Sequence, residues 1–146
     1  MIAGNSHYDV LLVDDDAGDA NLTRLAIGEG PLACRLHYVK DGVEALAFLR
    51  RENGPYAEAP RPDLVLLDLN MPRKNGREVL EEVKADPDLR TIPVVVMTTS
   101  DADWDIEEAY RLGANSFVTK SADLDQFIAT IHALETYWFG TVKLPR

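Results

Sequence analysis

Short apolar runs recur along the chain, each closed by a polar residue. VLLV at 10–13 is closed by Asp14 and Asp15, LVLL at 64–67 by Asp68, VVVM at 94–97 by Thr98, and SFVT at 116–119 by Lys120. Runs this short and continuously apolar read as parallel strands buried on both faces. The segments between them carry apolar residues three and four apart, the period of a helix face. Ala17–Glu29 is such a segment, with Leu22, Leu25, Ala26 and Ile27 apolar and a stop at Gly28, Gly30 and Pro31. Ala33–Val39 alternates instead, as a half-buried or edge strand does. Asp41 and Gly42 open a second helix with Val43, Leu46, Ala47 and Leu49 on one face, ending near Asn53-Gly54-Pro55. The proline-rich stretch 54–62 reads as a loop.

The second half repeats the alternation. A loop over 70–76 leads into a helix over Arg77–Ala85. Asp101 or Asp103 is expected to cap a helix reaching Leu112, with Gly113 as its stop. Ser121 or Asp123 starts a last helix whose apolar positions are Leu124, Phe127, Ile128, Ile131, Leu134 and Trp138. Five strand–helix units predict an α/β fold with a doubly wound parallel sheet. Right-handed crossovers leave few topologies, among them the flavodoxin-like (βα)5 order 2-1-3-4-5. Open sheets of this kind bind ligands outside the carboxyl ends of their strands. Under that order Asp14 and Asp15 neighbour Asp68, with Thr98 and Lys120 beyond it. Carboxylates, a hydroxyl and an ammonium on one edge point to Mg2+ and a phosphoryl group.

Composition narrows the class. The 146 residues fit one domain, and a 46% hydrophobic share suits a globular fold. No apolar stretch approaches the roughly 18–20 residues that span a bilayer, and the N-terminus has no secretory pattern. Cys34 is the only cysteine, which excludes an internal disulfide and fits a cytoplasmic protein. In the strand read over Ala33–Val39, it is expected to be a small buried core residue. A formal charge of −10, from 15 basic and 25 acidic residues, argues against nucleic acid as a partner. His7, His37 and His132 lack metal-ligand spacing, and none falls at a strand end beside Asp68.

The pieces LLVDDD, DLVLLDLNMPRKNG, IPVVVMTTSD and LGANSFVTK together resemble the receiver domain of two-component response regulators. The resemblance spans residues 9 to 137 and implies Asp68 as phosphoacceptor. It implies Mg2+ held by Asp14, Asp15, Asp68 and the backbone carbonyl of Asn70, with Thr98 and Lys120 on the phosphoryl oxygens. Phe117 falls at the family's switch aromatic, without the hydroxyl a tyrosine would bring. The expected partner is a sensor histidine kinase, and the ending resembles the small regulators of bacterial and cyanobacterial phytochrome kinases. Output is then expected through contact with a downstream or phosphotransfer protein, since no residues remain for an output module. Residues 1–8 read as a tail, 9–138 as the receiver, and 139–146 as an extension. Tyr137, Trp138 and Phe139 are expected at a homodimer contact through the last helix and tail.

Two further departures bear on the site. Ser121 stands where the family most often has a proline behind a cis peptide, and a non-proline cis bond costs about 2.5–4 kcal/mol. Either that bond is trans or its strain is held by the surroundings. Thr99 replaces a smaller residue and could narrow access. Asp16, third of the acidic run, reads as a helix cap, and Trp104 is expected to cover the start of the fourth helix, near the pocket mouth. Other readings fare worse. An Asp-dependent phosphatase generally needs a second aspartate two residues on, where Asn70 stands. A nucleotide or flavin module needs a phosphate loop after the first strand, where Asp-Asp-Asp-Ala-Gly-Asp would repel phosphate. A degenerate receiver that acts by binding alone is the remaining alternative.

Overall fold

A computed structural model describes residues 7–145 apart from 31, 53 and 72. Most of the expected tail, and the helix-ending roles given to Pro31 and Asn53, lie outside the described residues. The elements are β1 (Tyr8–Val13), α1 (Ala17–Gly28), β2 (Cys34–Val39), α2 (Gly42–Leu49), β3 (Leu64–Leu67), α3 (Gly76–Ala85), β4 (Val94–Thr98), α4 (Asp103–Arg111), β5 (Ser116–Thr119) and α5 (Leu124–Gly140). All strands pair in parallel in the order β2-β1-β3-β4-β5, the flavodoxin-like order read from the sequence.

Strand side chains alternate between faces, so each apolar run supplies two cores at once. Leu11, Val13, Val65, Leu67, Val94 and Val96 face α2, α3 and α4, whose Leu46, Phe48, Leu80 and Val83 complete that core. Val10, Leu12, Leu64, Leu66, Val95 and Met97 face α1 and α5, where Ile27, Phe127, Ile131 and Phe139 close the other. Each such side chain stabilises the fold by about 1.5–3 kcal/mol relative to exposure. Because both faces are covered, register is fixed tightly: a one-residue slip would exchange the two cores.

Several expectations are corrected. β5 is not buried on both faces: Ser116, Phe117 and Val118 are half-buried and Thr119 exposed, because it is an edge strand covered unevenly. α2 ends at Leu49, short of Gly54, and Arg51 follows in the left-handed region at φ 52°. Neither Asp101 nor Asp103 caps α4; Ala102 holds the cap position without a side-chain bond, and Asp103 is already helical. Cys34 is only half-buried.

The expected boundary after residue 138 falls inside α5, which runs to Gly140. Phe139 stacks on Tyr8 at 4.4 Å between ring centroids, and the Tyr8 hydroxyl donates to the Phe139 carbonyl at 3.1 Å. Of the three aromatics expected at an interface, Phe139 therefore faces its own core. Trp138 is half-buried, and Tyr137 is the exposed one.

α5 also carries a buried carboxylate. Glu135 is 3% exposed, and Oε1 has no hydrogen-bond partner. Oε2 accepts from the Cys34 thiol at 3.7 Å. Gly30 makes the space, since a Cβ there would lie 2.5 Å from the carboxylate. Burial pushes the Glu135 carboxyl above its ordinary value against the opposing charge of His132. Burial, with the nearby carboxylate, pushes the Cys34 thiol up to about 12.

A carboxyl whose pKa is raised on folding contributes stability below its unfolded pKa and loses it as pH rises through the folded one. At neutral pH the ionised group is a net cost to the native state. Glu135→Gln is therefore expected to stabilise the protein by about 1 kcal/mol at pH 7. The gain should shrink as pH falls toward the unfolded value. Urea unfolding of both proteins at pH 7 and pH 5 checks this, and a variant less stable at pH 7 would contradict it.

Candidate functional site

Four strands deliver their closing residues to one edge. Val13 and Val96 both pair with Leu67, so Asp14 and Asp68 leave adjacent strands at the same level. Thr98 ends β4 beside them, and Lys120 follows β5 with its N–H bonded to the Thr98 carbonyl at 2.7 Å.

Helix starts fix the acidic run. Asp16 caps α1, accepting from the N–H groups of Gly18 and Asp19 at 2.8 and 3.1 Å, as expected of it. Its own N–H donates to Asp14 Oδ1 at 2.8 Å, which turns the Asp14 carboxylate inward. Asp68 is held from both sides. Oδ1 accepts from the Asn70 N–H at 3.1 Å and Oδ2 from Lys120 Nζ at 3.2 Å. The loop after Asp68 is pinned by Asp41, which receives Arg73 Nε at 2.8 Å, and by Gly42, whose N–H donates to the Lys74 carbonyl at 3.1 Å. Asn75 then starts α3 with a reciprocal capping box to Glu78.

Lys120 is the centre of the arrangement. Its side chain is 7% exposed, and Nζ donates to Asp14 Oδ2 and Asp19 Oδ2 at 2.8 Å each, besides Asp68. Burial opposes its charge, but bonds to Asp14 and Asp19 and the charge of Asp68 outweigh that and hold it above its ordinary value. Burial pushes Asp14 up to about 6, against the bonds it accepts from Lys120 and Asp16.

One ammonium thus serves three carboxylates, and Asp15 adds a fourth at the rim. Oxygens from Asp14, Asp15 and Asp68 lie within 4.8 Å of one another. Hard oxygen donors with surplus negative charge fit a divalent cation, which would cancel most of that surplus. The Thr98 hydroxyl is buried without a hydrogen-bond partner, a deficit that ordinarily costs about 1–3 kcal/mol.

The structure therefore brings together Asp14, Asp15, Asp68, Thr98 and Lys120. The Lys120–Ser121 bond is trans, and Ser121 Oγ instead accepts from the N–H of Asp123, the residue that caps α5. Thr99 is exposed. Phe117 is half-buried against the α2–α4 core, and its N–H donates to the Tyr110 hydroxyl at 3.1 Å. His7 and His37 pair with Asp9, near the start of β1, at 3.6 and 2.8 Å, away from this edge.

Asp19 was not expected. An acid in the first turn of a helix ordinarily complements the helix dipole, and the only clue was its place three residues after the Asp16 cap. A second cluster also escaped the sequence. Arg77 on α3 meets Asp105 and Glu108 of α4, Ser100 donates to Asp105, and the guanidinium lies 5.8 Å from the centre of the Trp104 ring. Trp104 is 67% exposed, so it borders the α4 start rather than covering it.

This fold is shared with known proteins. The response regulator receiver domain model matches residues 10–132. Response regulator Rcp1 of Synechocystis sp. is 43% identical over 136 residues, covering 93% of this chain and 92% of that protein. The crystal structure of its Mn2+-bound form superposes with a TM-score of 0.89 at 42% identity, covering 95% of this chain and 99% of that one. The phosphorylated cyanobacterial phytochrome response regulator RcpA superposes with a TM-score of 0.91 at 46% identity, over 96% of this chain and 99% of that one. Receiver domain regulators are generally signalling proteins rather than enzymes. No helix among the described residues is long and apolar enough to cross a membrane. With the family model matched across most of its length and all five strands in the shared order, the chain belongs to the response regulator receiver domain family.

Proposed function

We propose that this chain accepts a phosphoryl group on Asp68 from a sensor histidine kinase and passes the signal on by protein contact. The observation that carries the reading is the convergence of Lys120 Nζ on Asp14, Asp19 and Asp68 at one sheet edge. In the transfer, an Asp68 carboxylate oxygen attacks phosphorus, an acyl–phosphate bond forms, and the bond to the donor breaks with its electron pair leaving on the donor. Lys120 stays charged at neutral pH and meets the negative charge that arrives. The Thr98 hydroxyl donates to a phosphoryl oxygen, which supplies the acceptor it lacks.

Asp14, Asp15, Asp68 and the backbone carbonyl of Asn70 would hold Mg2+, whose chemistry when bound is neutralisation of charge on the transferred oxygens. Phe117, half-buried beside Tyr110, repacks as Thr98 moves.

The kinase is of the phytochrome type, a reading supported by the likeness to RcpA. The protein acts in the cytoplasm, and its output is a downstream or phosphotransfer protein. It pairs with a second copy through α5 and the tail, where Tyr137 is exposed and the half-buried Trp138 has an indole N–H without a partner. Phe139 supports that face from behind.

Intact mass after incubation with acetyl phosphate tests the acceptor. One phosphoryl adduct is expected, dependent on Mg2+ and absent in Asp68→Asn. No adduct under any condition would overturn the reading in favour of a module that binds without phosphorylation.

A further inference from the structure

The segment 99–102 joins Thr98 to α4, and α4 begins without a side-chain cap. Its start is held from α3 instead. Arg77 donates from Nη2 to Asp105 Oδ1 and from Nε to Glu108 Oε1. The other Asp105 oxygen accepts from the Ser100 hydroxyl, whose oxygen in turn lies 3.4 Å from the Ala102 N–H. Asp105 is 6% exposed, so both of its oxygens are committed in a nearly dry position where such bonds are strong. A continuous chain of charge-assisted bonds therefore runs from α3 to Ser100, two residues from Thr98. Two residues before Ser100, the Thr98 hydroxyl is buried and unpartnered. The bonds on Ser100 oppose a shift of the backbone that carries this hydroxyl toward an acceptor.

We propose that Arg77, acting through Asp105 and Ser100, is a positioning residue that holds Thr98 back from the acceptor carboxylate until a phosphoryl group draws it in. This rests on the phosphoacceptor reading above. A phosphoryl group on Asp68 offers oxygens to the Thr98 hydroxyl. Reaching them displaces the segment after β4 and loads the Ser100–Asp105 bond. The clamp and the phosphoryl group thus compete for one short segment, and cutting the clamp strengthens phosphoryl binding by the same factor that phosphoryl binding weakens the clamp.

The test uses Mg2+ with beryllofluoride, a phosphoryl mimic that bonds to an aspartate oxygen. Arg77→Gln removes the charge that holds Asp105. Ser100→Ala cuts the clamp from the loop side and carries the same expectation if Arg77→Gln does not fold. Either variant should bind beryllofluoride roughly 5- to 20-fold more tightly than the wild type. Affinity for Mg2+ alone should stay unchanged, a split that general loosening of the fold would not produce. Arg77→Lys, whose ammonium can still meet Asp105, should stay near the wild type. Unchanged or weaker binding in a folded variant that still takes acetyl phosphate would overturn the clamp. A wild type that takes neither acetyl phosphate nor beryllofluoride would instead sink the phosphoacceptor reading, and this proposal with it.

Discussion

Replacing Gly76 by alanine is expected to lower stability by about 3 kcal/mol and to weaken Mg2+ binding roughly tenfold or more. Gly76 is the first residue of α3, and its N–H donates to the Leu69 carbonyl at 2.9 Å. That bond folds the loop back so that a Cβ at 76 would lie 2.1 Å from the Asp68 carbonyl oxygen and 2.7 Å from Leu69 Cα. Both obstacles are backbone, so no side chain can swing aside. The residue after β3, Asp68, must move instead. Propensity alone argues the other way, since alanine in a helix is favoured over glycine by roughly 0.5–1 kcal/mol. The sign of the change therefore decides between crowding and propensity. Urea unfolding with a parallel Mg2+ titration measures both effects. A variant as stable as the wild type would show that the loop yields freely.

Lys120→Met should produce the second large effect, a loss of about 3 kcal/mol in EDTA. Methionine keeps much of the stem's apolar packing but removes the cation shared by Asp14, Asp19 and Asp68. Asp14 and Asp68 are then buried carboxylates facing one another with nothing between them. A divalent cation replaces part of the missing charge, so the deficit should narrow when Mg2+ is added, by an amount that grows with its concentration. On the proposed function, acetyl phosphate labelling should remain far below the wild type even then, because the metal does not replace the Lys120 ammonium as a donor to the phosphoryl oxygens. An equal deficit with and without Mg2+ would count against a metal at these carboxylates.

The sheet was legible because its information is local and periodic. VLLV, LVLL and VVVM are each too short for a helix and too apolar for an exposed strand, and crossover handedness then left few strand orders, the observed one among them. The residues that end those strands were legible for the same reason, since parallel pairing alone sends Asp14, Asp68, Thr98 and Lys120 to one edge. Contacts between helices were not. Asp19 and the Arg77–Asp105–Ser100 chain depend on which side of a helix faces a neighbour, and spacing within one segment does not specify that. The α4 cap was misassigned because two aspartates flank Ala102 and either could have capped, while Asp105 was engaged from α3 instead. Phe139 was assigned to an interface because three adjacent aromatics look exposed in sequence. On a helix, neighbouring residues point about 100° apart, so one of them turns inward.

The stacking of Phe139 on Tyr8 joins residues 131 positions apart, the first strand to the last helix. During synthesis, the core beneath α2, α3 and α4 can close once α4 and β5 have emerged, since its buried members end at Ala114. The opposite core waits for Phe127, Ile131 and Phe139. A nascent chain is thus left with one face of its sheet covered by α1 alone until α5 clears the ribosome. That interval, more than any weakness of the finished fold, is when this protein would depend on a chaperone.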